Sequence, residues 1–351
     1  MVENRISKII VEWFHGHKRD LPWRNISDPY RIWISEIILQ QTRVAQGLDY
    51  YLRFIDRFPT LKSLAEAHED EVLKYWQGLG YYSRARNLHA AARLVVLGHN
   101  GFFPVEYKLV RALKGIGEYT AAAICSFAYG MSYPTVDGNV YRVLARVFDM
   151  DLPIDGGEGK RAFYEITTEI LSATDPATHN QAMMEFGALQ CVPQNPNCEI
   201  CPLAHICMAY SRNRVNQLPV KQQKVGVKNR YFNYFCIRFG DFMYLKKRTA
   251  NDIWRNLYEL PLIETMESVD LERLSVINDF KSLFEEIEKV DFNLIKSEVV
   301  HVLSHRRIIT TYYEVEISNE SEGLKDYLRI AVKDFDQYAV STLVLNLVNH
   351  A

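Results

Sequence analysis

Two carboxylates and four thiols stand where their types and spacing could do chemistry. Asp137 follows Tyr133-Pro134-Thr135-Val136, which reads as extended, and precedes a helical pattern running from Val140 to Phe148. At such an N-cap a carboxylate accepts backbone N–H bonds at the positive end of the helix dipole. Both effects favour the charged form, so Asp137 is expected to titrate low. A plain capping role is the competing reading of this stretch. Glu36 lies in YRIWISEIILQQTRVAQ, residues 30–46, about one helical turn from Ile32, Trp33, Leu39 and Gln40. A carboxylate beside Trp and Leu is partly desolvated, which raises its pKa and lets it hold a proton near neutral pH. An exposed helix glutamate with apolar neighbours is the alternative. Cys191, Cys198, Cys201 and Cys207 lie in CVPQNPNCEICPLAHIC with spacing C-x6-C-x2-C-x5-C. Four thiols this close point to a metal or cluster site more than to disulfides. Tetrahedral zinc and a cubane iron–sulfur cluster both accept four cysteines. Cys125 and Cys236 sit in apolar patterns and read as buried thiols.

Helices must position these groups. RALKGIGEYTAAAICSFAYG shows two helical patterns joined by Gly115-Ile116-Gly117. The second is rich in small residues, Ala121, Ala122 and Ala128, that permit close helix contact. A Gly-x-Gly before a helix start leaves backbone N–H groups open to an anion such as phosphate, although a plain turn reads the same way. Gly78-Leu79-Gly80-Tyr81 breaks another helix ahead of Arg84 and Arg86. An aromatic on a glycine-rich loop beside arginines suits insertion into a base stack, or simply a core tyrosine after a turn. The net charge of −2 argues weakly against nucleic acid. Its distribution argues the other way. No carboxylate occurs between Glu71 and Glu106, and Gln217 to Gly240 is acid-free while carrying Lys221, Lys224, Lys228, Arg230 and Arg238.

The N-terminal MVENRISKIIVEWFHG has an amphipathic helical pattern with charges throughout, unlike a signal peptide. No stretch approaches the ~20 apolar residues of a membrane span, so a cytoplasmic protein is expected. At 351 residues there is room for two domains. After a polar, basic linker near 211–229, YFNYFCIRF, FMYLKK and HRRIITTYYEVEI alternate like strands, while residues 269–290 and 334–350 read as helices.

LKGIGEYTAAA followed by PTVDGNVYRVLAR closely resembles the helix-hairpin-helix DNA glycosylases, and GLGYYSRARNL resembles their adenine-specific (MutY-type) branch. The resemblance implies a multidomain fold. An all-α helix-hairpin-helix glycosylase domain would occupy residues 1–210, including an iron–sulfur loop at 191–207. A linker would span 211–229 and a C-terminal α/β Nudix-like domain 230–351. Relatives usually carry proline where Lys114 stands. The cysteine spacing is the family's own, which implies a [4Fe-4S] cluster. SEIILQQT matches the stretch holding the catalytic acid, Glu36, with Gln40 and Gln41 entering the duplex. Asp137 would face the sugar, flanked by Tyr119 and Asn139, while Trp23 and Arg24 would line the adenine pocket. Gly115 and Gly117 would meet the DNA backbone, with Arg84 and Arg86 anchoring phosphate beside a Tyr81 wedge. Bifunctional relatives carry a lysine at position 119, which can form a Schiff base; a tyrosine cannot. Monofunctional hydrolysis is therefore implied, with a bifunctional glycosylase/lyase as the alternative. The Nudix glutamate cluster is absent, leaving Glu259 alone near that context. Ser304 and His305 would then read 8-oxoguanine, with Leu303 where phenylalanine is common. The implied partner is double-stranded DNA with adenine opposite 8-oxoguanine or guanine, and the expected state a monomer.

Overall fold

The computed structural model describes residues 2–172, 174–222 and 226–349. Lys224, in the second basic run, lies outside them. The chain forms two compact units: Met1–Glu66 with Asn87–Gln223, and Ala67–Arg86 with Lys224–Ala351. Ala67–Arg86, which the sequence pattern groups with the helical domain, thus folds into the C-terminal unit. No helix among the described residues is long and apolar enough to cross a membrane.

The first unit is helical: α1 (Val2–His17), α2 (Pro29–Leu39), α3 (Val44–Arg57) and α4 (Leu61–Glu66) come before the break. The helix α5 (Glu69–Trp76) belongs to the second unit, and α6 (Ser83–Gly98) runs across the boundary in sequence. The first unit then continues through α7 (Tyr107–Ala112), α8 (Glu118–Tyr129), α9 (Gly138–Val147), α10 (Gly157–Ile170), α11 (Pro176–Leu189) and α12 (Met208–Ser211). The start of α2 is fixed by Asp28, whose side chain accepts from Tyr30 and Arg31 N–H, and by Pro29 in the first turn. Apart from Arg31, residues Tyr30 to Ile38 are buried, so α2 is a core helix and Glu36 goes inside with it. The small residues of α8 let α2 and α11 pack against it. Val140, Val143, Leu144 and Val147 of α9 share a core with Ile6, Ile10 and Phe14 of α1 and Ala182, Met183 and Phe186 of α11.

Gly115 makes the α7–α8 hairpin possible on two counts. Its φ of +83° is in the left-handed region, and a Cβ there would lie 2.7 Å from the Asn87 side chain. Gly117 caps α8 with extended backbone and open space around it.

The second unit is built on a seven-stranded sheet of β1 (Lys228–Phe239), β2 (Phe242–Lys247), β3 (Tyr258–Glu259), β4 (Leu262–Thr265), β5 (Val290–Val302), β6 (Arg306–Ile317) and β7 (Leu328–Ala331). The order is β3-β2-β1-β6-β5, with β4 also paired to β1 and β7 to β2. β1 and β6 pair in parallel, Tyr231 opposite Ile309, while the other strand pairs among the described residues are antiparallel. β1 is buried on both faces. Phe232, Tyr234 and Cys236 pack toward α15 (Thr342–Asn349). Phe235 and Ile237 pack toward α13 (Leu271–Ser275) and α14 (Asn278–Phe284). A strand covered on both faces reads as a nearly continuous apolar run, as β1 does. α13 and α14 replace the single helix read over 269–290.

Candidate active site

α2 and α9 bring the two carboxylates into one buried environment. Glu36 is 7% exposed, and burial lifts its pKa to about 7. A hydrogen bond from the Tyr119 hydroxyl opposes the rise, and the nearby Asp137 charge adds to it. Asp137 is the N-cap of α9, as its place before a helix start predicts. Its Oδ1 accepts from Asn139 N at 2.9 Å and Val140 N at 2.8 Å, and its Oδ2 from Asn139 Nδ2 at 2.7 Å. The sequence expectation of a low Asp137 pKa is reversed. Burial dominates and raises it, while the bonds from Val140 and Asn139 and the charge of Arg142 hold the rise back. Asp137 has more groups favouring its anion than Glu36 has, so Asp137 ionises first. The two can therefore coexist as one acid and one anion, each in a role that the other could not take.

Supporting contacts fix this pair. The Tyr119 hydroxyl also reaches Met184 Sδ at 3.6 Å, and burial pushes its pKa well up. Asn180, buried in α11, accepts from Thr135 N at 3.1 Å and donates to Tyr133 O and Ser126 Oγ, both at 2.9 Å. It thereby pins the extended approach to Asp137. Asn139 is held in turn by Arg142, which donates to Asn139 Oδ1 at 2.8 Å, Gly187 O at 2.6 Å and Cys191 O at 2.7 Å. A Cβ on Gly187 would fall 2.9 Å from Asn139 O, so only glycine lets α11 come this close to α9. Trp23 packs edge-on to Tyr51. Arg24 donates to both oxygens of the buried Glu185, at 2.9 and 2.7 Å, and Arg19 shares that carboxylate. Glu185 is held down to about 2, burial being outweighed by these guanidinium bonds. Glu185 and Gly187 carried no local sequence signal, because their partners are distant in the chain, and neither did the bonds of Arg142 to Gly187 and Cys191.

The four cysteines line one cavity together with Arg146 and Phe186. Arg146 is 2% exposed, and its guanidinium contacts Cys191 Sγ at 3.4 Å and the carbonyls of Val192, Pro193, Val215 and Leu218. None of these partners is a carboxylate. A buried cation beside four thiols fits a site that carries net negative charge, as a cluster with four thiolates does. Cys191, Cys198, Cys201 and Cys207 would hold the cluster, which would tie the 191–207 loop to α9.

The other expected DNA contacts divide between the units. In the first, Gln40 donates to Thr120 Oγ1 at 3.2 Å, and Gln41 is exposed with left-handed φ of +57°. In the second, Tyr81 is 47% exposed, also with positive φ, +46°. Its hydroxyl hydrogen-bonds Ser304. Ser304 and His305 form the exposed turn between β5 and β6. Arg84 and Arg86 follow Tyr81 in α6, both half-buried. Arg84 donates to Leu79 O and Gly80 O, both at 3.3 Å, and Arg86 to Arg255 O at 2.7 Å. Arg84 thereby braces the Tyr81 loop, and Arg86 ties its segment to the loop after β2.

Residues 34–163 match the HhH-GPD superfamily base excision DNA repair protein family, residues 191–207 the iron-sulfur binding domain of endonuclease III, and residues 233–350 the NUDIX domain. The chain is 33% identical over 288 residues to the adenine DNA glycosylase of Buchnera aphidicola subsp. Baizongia pistaciae, covering 78% of this chain and 80% of that protein. The chain belongs to the adenine DNA glycosylase family. The human adenine DNA glycosylase is 39% identical over 218 residues, covering 60% of this chain and 40% of that protein. Among solved structures, a thermostable thymine-DNA glycosylase is 28% identical with a TM-score of 0.54, covering 60% of this chain and 97% of that one. As an adenine DNA glycosylase the protein acts in base excision repair, binds DNA and carries a [4Fe-4S] cluster.

Proposed function

We propose that this adenine glycosylase removes adenine opposite 8-oxoguanine or guanine, acting as a monomer in the cytoplasm and without cutting the strand. The observation that carries the mechanism is the pairing of buried Glu36, poised near neutrality, with half-buried Asp137, bonded as an anion. The adenine is flipped from the duplex so that its bond to the sugar can be reached. Glu36 gives its proton to the base, at N7, as the N-glycosidic bond breaks and its electron pair leaves with adenine. Asp137 faces the oxocarbenium-like sugar and stabilises it, or bonds to it transiently. Water then adds at the anomeric carbon, and the proton it releases restores Glu36. Asn139 and Tyr119 orient the two carboxylates, and Trp23 with the Arg24–Glu185 pair faces the base. Position 119 supports hydrolysis over lyase chemistry, since a phenol forms no Schiff base with the sugar. Gln40, Gln41, Gly115 and Gly117 contact the duplex, Tyr81 wedges into the stack, and Ser304 with His305 reads the opposite base.

Adenine release on A:8-oxoguanine, A:G and A:C duplexes, with borohydride trapping in parallel, tests this reading. It predicts release from the first two, no trapped adduct, and no strand cut before alkali or heat. Efficient trapping with strand cutting would favour the lyase alternative.

A further inference from the structure

In the second unit, a network of charged side chains centres on Asp252, in the loop after β2. Asp252 takes guanidinium bonds from three arginines. Arg230 reaches Oδ2 at 2.6 Å, Arg248 reaches the same atom at 3.1 Å, and Arg306 bonds Oδ1. Burial would raise the Asp252 pKa, but the bonds from Arg306 and Arg230 hold it down at about 2, so the carboxylate is charged at any working pH. The network is braced further out: Arg248 bonds Glu259 at 2.6 Å and Arg230 bonds Glu264 at 2.6 Å. Arg306 is the first residue of β6, and its carbonyl accepts from Leu303 N at 2.8 Å, closing the turn that carries Ser304 and His305.

The same loop also grips the segment that carries Tyr81. Arg255 O accepts from Arg86 at 2.7 Å, and Asn256 Nδ2 donates to Glu69 of α5 at 2.5 Å. Trp254 and Asn256 hold left-handed φ of +57° and +66°. A tryptophan there is strained, and persists only where its surroundings over-determine it. The Trp254 ring packs edge-on to Phe232 and to His301 near the end of β5. At the far end of this bracket the Tyr81 hydroxyl and Ser304 meet.

We propose that Asp252 is a positioning residue for recognition of the base opposite adenine: through Arg306 it fixes the Ser304 turn while its loop fixes the Tyr81 segment. The proposal rests on the reading of Ser304 and Tyr81 given above. Asp252 acts through Arg306 and its own loop and is a positioning residue only. Loss of its charge leaves three arginines competing for two remaining carboxylates and frees Arg306, so the turn no longer holds Ser304 in one place.

The test is the single-turnover rate ratio between A:8-oxoguanine and A:G duplexes for Asp252→Asn, Arg306→Gln, Asp252→Glu and Ser304→Ala. Asp252→Asn should narrow the ratio about fivefold, the size of one hydrogen bond lost from the reader, with the A:G rate unchanged. Asp252→Glu should restore most of it. Arg306→Gln cuts one link while leaving Asp252 its other two arginines, and carries the test if Asp252→Asn fails to fold. It should narrow the ratio in the same way, whereas loss of a mere phosphate contact would slow both duplexes alike. Overturning results are a normal ratio in Asp252→Asn or, should that not fold, in Arg306→Gln, while Ser304→Ala narrows it. A normal ratio in Ser304→Ala would instead remove the recognition reading on which the proposal stands.

Discussion

Replacing Glu36 by glutamine should make the protein more stable, by an amount that depends on pH. Glu36 is raised from 4.5 to about 7 by burial. Its folded pKa lies above its unfolded one, so the folded state binds the proton more tightly. The native protein keeps the full benefit below the unfolded pKa and loses it as pH rises toward the folded one. Each unit of separation is worth about 1.4 kcal/mol, so the stability lost as Glu36 ionises in the unfolded chain but not in the folded one is about 1 kcal/mol at pH 5 and about 3 kcal/mol by pH 7, with little further change above. Glutamine has the shape of the protonated acid and never ionises. Relative to the parent, Glu36→Gln should therefore gain little at pH 4.5 and about 3 kcal/mol at pH 8, or roughly 6–12 °C in thermal midpoint for a unit of this size. Any constant offset from the altered bond to Tyr119 cancels when two pH values are compared. Thermal melting of both proteins from pH 4.5 to 8, followed by far-UV circular dichroism, reads the difference directly. A gap that stays flat with pH, or closes as pH rises, would show that Glu36 is not held protonated by burial and so is no proton donor near neutral pH.

Two further outcomes follow from packing and charge. Purified protein should hold about four irons with broad visible absorption, and one zinc with no colour would refute the cluster assignment. Gly187→Ala should push its Cβ into Asn139 O, now 2.9 Å away, and disturb the Asn139–Asp137 bonds. Base release should slow at least about tenfold with DNA binding retained, the scale expected when a reacting group is misplaced; a parental rate would show that α9 yields without cost.

Much of this was legible because its signals are local. FMYLKK coincides with β2 residue for residue, and the N-cap place of Asp137 follows from the turn before α9. The degree of burial around Asp137 was not local, and so its expected low pKa came out reversed. Arg142 and Arg146, one turn apart on α9, look like a solvent-facing pair until the 191–207 loop closes over them. EDEVLKYW reads as an ordinary helix, with nothing in it to say that Asp70 bonds Tyr258 and Lys247 far along the chain. In residues 269–290 the pattern favours one long helix; the chain instead turns at Val276–Ile277 to seat Phe280 and Phe284 beneath Phe235.

The division of labour between Glu36 and Asp137 is tested most directly by the single-turnover rate of adenine release against pH, for the parent and for Asp137→Asn. With Glu36 as donor, the parental rate should fall about tenfold per pH unit above its pKa near 7 and fall again in acid as Asp137 takes up a proton. Asp137→Asn should lose most of the rate at every pH while still binding mismatched DNA. A parental rate unchanged from pH 6 to 9, or normal base release by Asp137→Asn, would contradict the account.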